Sequence, residues 1–164
     1  MIIQNNGDFY TTDFDLNNHY DADIQRIEKY DPEKVWTAVL YDADQQNYPY
    51  LKRFTFEATA KKQNYLGENK HSKLILLSEQ VFPRIQVVFG GHDDFREPLI
   101  VEASDFVGVK SYKAKGKRLT TYTVGNIEEL EPTRMPESEE TTEPESGDEE
   151  TTNDDGDNGQ MNLF

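Results

Sequence analysis

Val107-Gly-Val-Lys-Ser-Tyr-Lys-Ala-Lys-Gly-Lys-Arg-Leu-Thr-Thr-Tyr-Thr-Val124 sets two strand-like runs on either side of a basic turn. The flanks, Val107–Tyr112 and Arg118–Val124, are rich in the β-branched and aromatic residues that suit a pleated surface. Gly116 supplies a backbone conformation closed to other residues. The turn Lys113-Ala-Lys-Gly-Lys117 is therefore predicted to project Lys113, Lys115 and Lys117 into solvent, with Lys110 and Arg118 beside them. Between Lys110 and Arg118 five of nine residues are basic and none is acidic, in a chain of formal net charge -15. The ligand that suits such a cationic island is a polyanion, nucleic acid first among them.

Working outward, the charge is divided along the chain. Residues 1–50 carry 10 acids and 3 bases, residues 51–127 carry 8 and 13, and residues 128–164 carry 14 and 1. The overall pI of about 4.5 hides a basic middle. From Pro136 to Asn158 there is no aromatic or aliphatic residue. A segment of that kind buries too little apolar surface to offset its ordering entropy, so residues 133–164 are read as an acidic disordered tail. A short apolar group, Met161-Asn-Leu-Phe164, closes the sequence.

Residues 1–132 read as strands. Met1–Gln4 and Phe9–Phe14 flank Asn5-Asn-Gly-Asp8, an Asn-Gly hairpin turn. Val35–Tyr41 and Leu51–Phe56 form a second predicted pair, with Phe54 and Phe56 on one face. Leu74–Leu77 and Ile85–Phe89 form a third, with Pro83 just before its second strand, where a missing N–H is tolerated. Leu99–Glu102 adds a strand. Asp21–Glu28 fits a short helix or a strand. Strands at this spacing build a sandwich, a barrel or a propeller.

Catalytic patterns are weak. His19, His71 and His92 lie far apart, and no pair has metal-ligand spacing. Asp42-x-Asp44 resembles the opening of a calcium loop, but the mid-loop glycine is missing and Arg53 stands where the closing glutamate belongs. There is no phosphate-binding glycine-rich loop and no Gly-x-Ser-x-Gly. With no cysteine there is no disulfide framework and no thiolate metal site. No catalytic residue, metal or cofactor is expected. No run approaches roughly 18 apolar residues, so a soluble, cytoplasmic protein is expected.

Phe106-Val-Gly-Val-Lys-Ser-Tyr-Lys-Ala-Lys-Gly-Lys-Arg-Leu-Thr-Thr-Tyr122, followed by Asn126-Ile-Glu-Glu-Leu-Glu-Pro132, resembles the C-terminal region of the A subunit of bacterial type IIA topoisomerases, the DNA gyrase and topoisomerase IV group. Tyr30-Asp-Pro-Glu-Lys-Val-Trp36 and Tyr50-Leu-Lys-Arg-Phe-Thr-Phe56 resemble it too, nearest to topoisomerase IV. The resemblance spans about residues 1–132. It implies an all-β fold, a partial β-pinwheel whose propeller-like blades of antiparallel strands bind and bend DNA at a basic rim; two to three blades fit in this length. Its implied partners are duplex DNA, the remainder of the A subunit and the ATPase B subunit, on the nucleoid. Against the gyrase wrapping motif Gln-Arg-Arg-Gly-Gly-Lys-Gly, the stretch Tyr112–Arg118 matches outright only at Gly116 and Lys117, with Lys113 conservative. The family's DNA-cleaving tyrosine follows an arginine, and none of the nine tyrosines here does. The resemblance therefore implies that the cleavage chemistry lies outside this chain.

The expected DNA contacts are Lys110, Lys113, Lys115, Gly116, Lys117 and Arg118. Lys52, Arg53, Lys61, Lys62 and Lys73 would extend the same surface if the fold brings them to it. The competing reading is a β-rich protein-interaction module that does not bind DNA. A small-molecule-binding barrel is a third.

Overall fold

The computed structural model describes residues 1–13, 15 and 17–137. Phe14, expected to end a strand, and most of the expected acidic tail lie outside the described residues. Three sheets stack in layers, so the chain is all-β, as its turns and apolar runs predict.

The first sheet has the order β3-β1-β2-β6, with β1 (Ile2–Gln4), β2 (Asp8–Tyr10), β3 (Ile24–Ile27) and β6 (Gln63–Asn64). The ambiguous Asp21–Glu28 segment thus yields a strand. The β1–β2 turn differs from the two-residue Asn-Gly form. Gly7 alone takes positive φ, at 89°, and its N–H donates to Gln4 O at 3.1 Å. This is a type I turn followed by a left-handed glycine, the common three-residue hairpin.

The middle sheet is built on a long hairpin, β4 (Val35–Asp42) and β5 (Tyr48–Thr55), paired in register from Val35↔Thr55 to Asp42↔Tyr48. Successive side chains point to opposite faces, and here both faces are covered. Trp36, Ala38, Leu40, Phe54 and Phe56 enter one core with Met1, Ile3, Phe9 and Tyr65 from the first sheet. Val39 and Leu51 enter a second core with Ile85, Val87, Val101 and Ile127 from the third sheet. That is why β4 reads as a continuous apolar run rather than an alternation.

The third sheet runs β12-β8-β9, with β8 (Arg84–Phe89), β9 (Leu99–Glu102) and β12 (Val124–Leu130). A single turn of helix, α1 (Ala103–Phe106), follows β9.

Two predicted pairings are wrong. β7 (Lys73–Ser78), which contains Leu74–Leu77, does not pair with β8; it pairs antiparallel with β4. There Leu74 and Leu77 pack on the first core while Ile75 and Leu76 pack on the second. A strand apolar on both faces is buried best inside the stack. In β8, buried Ile85 and Val87 alternate with half-buried Gln86 and Val88, which suits an outer layer. Likewise the runs around the basic turn do not pair with each other. Val107–Tyr112 contributes only β10 (Val109–Ser111), parallel to β5. The second run divides into β11 (Lys117–Arg118), antiparallel to β5, and the start of β12.

A candidate nucleic-acid interface on the edge of β5

The basic segment straddles one edge of β5. β10 places Val109, Lys110 and Ser111 opposite Arg53, Phe54 and Thr55, and β11 places Lys117 and Arg118 opposite Leu51 and Tyr50. Leu119 N–H then donates to Pro49 O at 2.8 Å. Between the two ladders the chain turns, with Ala114 N–H on Ser111 O at 3.0 Å. Tyr112 points inward and is buried beside Phe9, ring centroids 4.8 Å apart.

Gly116 closes the turn at φ 85°. A Cβ there would sit 2.4 Å from Leu51 O and 2.7 Å from Lys52 Cβ. Both the conformation and the space are closed to any other residue. The sequence pointed to this glycine for its dihedral; the backbone approach to β5 is the stronger reason.

Lys52 is not at the surface. It is 4 % exposed. Its Nζ donates to Tyr112 O at 2.6 Å, to Ala114 O at 3.1 Å and to Tyr65 O. Three donors meet three backbone acceptors, two of them inside the basic segment. Burial pushes the Lys52 ammonium down to about 8, with the Asp42 carboxylate opposing that shift. Unpaired buried carbonyls cost about 1–3 kcal/mol each, so Lys52 fastens the loop from below.

Above this anchor Lys110, Lys113, Lys115, Lys117 and Arg118 are all exposed. None of them joins an ion pair among the described residues. Aromatic rings steady three: Lys117 Nζ lies 4.4 Å from the Phe106 ring centroid, Arg118 Cζ 5.3 Å from that of Tyr48 and Lys113 Nζ 5.7 Å from that of Tyr112. Such contacts hold a long side chain while leaving its charge free for an anion. Sequence spacing gave no sign of Tyr48, which reaches the segment only through the fold.

The more distant candidates part ways. Arg53 is half-buried, its Nε is buried without a hydrogen-bond partner, and burial lowers its pKa. Lys61 and Lys62 are exposed, but Lys62 Nζ lies 2.6 Å from the Asp21 carboxylate. Lys73 is exposed and lines an open groove of about 710 Å³ with Tyr48, His71 and Tyr122, so it shares Tyr48 with the Arg118 side chain. His19, His71 and His92 are all exposed. Among the described residues no three His, Asp or Glu side chains gather as a metal cluster, and no helix is long and apolar enough to cross a membrane.

Three stacked sheets present one cationic loop, anchored on the edge of β5. A family model described as "Topoisomerase C-terminal domain, Bacteroidota" matches residues 1–131. The chain belongs to that family, and so is an accessory C-terminal region of a topoisomerase. No curated protein and no solved structure matches it.

Proposed function

We propose that this chain is the DNA-binding and DNA-bending region of a bacterial type IIA topoisomerase A subunit, nearest to that of topoisomerase IV. It guides a duplex segment toward the gate of the enzyme through phosphate contacts, without sequence preference. It acts with the remainder of the A subunit and the ATPase B subunit, in the cytoplasm at the nucleoid. Lys110, Lys113, Lys115, Gly116, Lys117 and Arg118 form the contact segment, and Lys73 extends it across the neighbouring groove. Residues 1–132 form the binding region, and the acidic residues 133–164 compete with DNA for its cations.

The observation that carries this reading is a row of five exposed cations, free of acidic partners among the described residues, on a loop fixed to β5 by a buried lysine. A fixed array of point charges neutralises phosphates and releases their counterions at little ordering cost. Fluorescence anisotropy with a labelled duplex across a salt series tests it. Each phosphate contact contributes about -0.9 to the slope of log K against log salt, so five contacts give about -4.5. Replacing Lys113, Lys115, Lys117 and Arg118 together with alanine should remove most of that slope and nearly all low-salt binding. Weak binding that ignores salt, unchanged in the variant, would return the loop to the protein-interaction reading.

A further inference from the structure

Beside the basic loop lies a second surface of different chemistry. Phe95, in the turn between β8 and β9, is 75 % exposed, an unusual position for a phenyl ring. Arg96 follows it. The Arg96 guanidinium carbon is 3.5 Å from the centroid of the Tyr122 ring and 5.1 Å from that of Phe95. Tyr122 is itself 46 % exposed and meets Phe89 edge-on, centroids 5.9 Å apart at 83°.

This stack is fixed in place. Asp93 Oδ1 accepts from Arg96 Nε at 2.9 Å, and Asp93 Oδ2 accepts from Thr123 N–H at 2.8 Å. Those two bonds hold the Asp93 carboxyl below the usual carboxylate range, the Thr123 bond foremost. The turn carrying Phe95 is thereby tied to the strand entry carrying Tyr122. Phe95, Arg96 and Tyr122 wall an open groove of about 720 Å³, with Arg118 and Glu97 also lining it.

We propose that this groove holds unpaired nucleotides of a DNA strand whose phosphates lie on the basic loop. The proposal rests on the DNA-binding reading and adds to it a preference for locally unpaired DNA. The charges of the groove fit a nucleotide: Arg118 takes a phosphate, and the Glu97 carboxylate accepts from base amino groups, as carboxylates do from cytosine. Exposed aromatic and guanidinium planes bind any base through its π-face, which needs no sequence readout. A paired duplex keeps its bases stacked inside and offers such planes nothing. The groove is continuous with the cationic loop through Arg118, so a strand on that loop reaches it without a break.

The test uses the full chain and two probes, a fully paired duplex and the same duplex with a central unpaired bubble. Anisotropy should show tighter binding to the bubble. Phe95→Ala should weaken bubble binding about tenfold, leave duplex affinity unchanged and leave the melting temperature unchanged, since Phe95 buries little. Phe95→Trp should restore the preference. Equal affinity of the unaltered chain for both probes would overturn the proposal. So would a bubble preference that survives Phe95→Ala, which would leave the groove to a protein segment. Bubble binding that depends on Phe95, with no duplex binding at any salt, would instead overturn the duplex-guiding reading alone.

Discussion

Lys52 stands where a hydrophobic residue would be ordinary, on the Phe54 and Phe56 face of β5. What the site asks of it is three hydrogen atoms for three carbonyls, and its charge is the cost of supplying them. Lys52→Met keeps the volume and removes the donors. We expect a loss on the order of 2–5 kcal/mol in urea unfolding and, on the proposed function, weaker DNA binding, although Lys52 is buried. Unchanged melts would show that the loop is held some other way. Acid–base linkage supplies a second test. The folded-state pKa of Lys52, about 8, lies below its ordinary unfolded value. Between pH 8 and about 10 the unfolded chain binds the extra proton, so stability rises with pH across that window. Tyr65 runs the other way. Burial raises its pKa, so above pH ~10 the unfolded chain releases a proton that the folded chain keeps, and stability falls. Lys52→Met should flatten the rise and leave the fall. Gly116→Ala should displace the loop from Leu51 O at a cost of at least about 1–2 kcal/mol. Faster amide exchange at Leu119, whose N–H bonds Pro49 O, reports it.

Among the elements β5 does the most. It pairs with β4 along its full length, carries β10 and β11 on its other edge, and sends side chains into both cores. Phe54→Ala should therefore cost about 3–5 kcal/mol, whereas Ile100→Ala, at the exposed position of β9, should stay within about 0.5 kcal/mol; thermal melts of the two variants measure the contrast. The β4–β5 hairpin was legible because its partners are sequence neighbours and its faces follow the period of two. β7 and β10 were misread for one reason. Each run alone fits a hairpin with the run that follows it, yet each buries more by joining the middle sheet. That choice depends on which edges are free, and edges exist only after the long hairpin has formed.

At the scale of the molecule the charge is arranged in opposition. Arg134 pairs with Asp105 at 2.6 Å, and the adjacent Phe106 ring supports Lys117. The residues that follow 137 hold ten of the chain's 32 acids. Chains ending at residue 137 should bind duplex DNA severalfold more tightly at low salt. The gain should vanish at high salt, where the Debye length shrinks to about 3 Å. Anisotropy of the two lengths decides it. An equal affinity at low salt would make the tail a spectator.

The sequence by itself determined the all-β class, the basic turn with its glycine, and the acidic stretch. Each rests on local chemistry: the period of two, a φ open to glycine, and charge counted along the chain. Only the tertiary structure decided that Lys52 works from inside, that Lys62 is spent on Asp21, and that Arg96, Tyr122 and Phe95 meet beside Arg118. Those facts join residues tens of positions apart, and no local pattern records which strand edges and loops the packing of three sheets brings together.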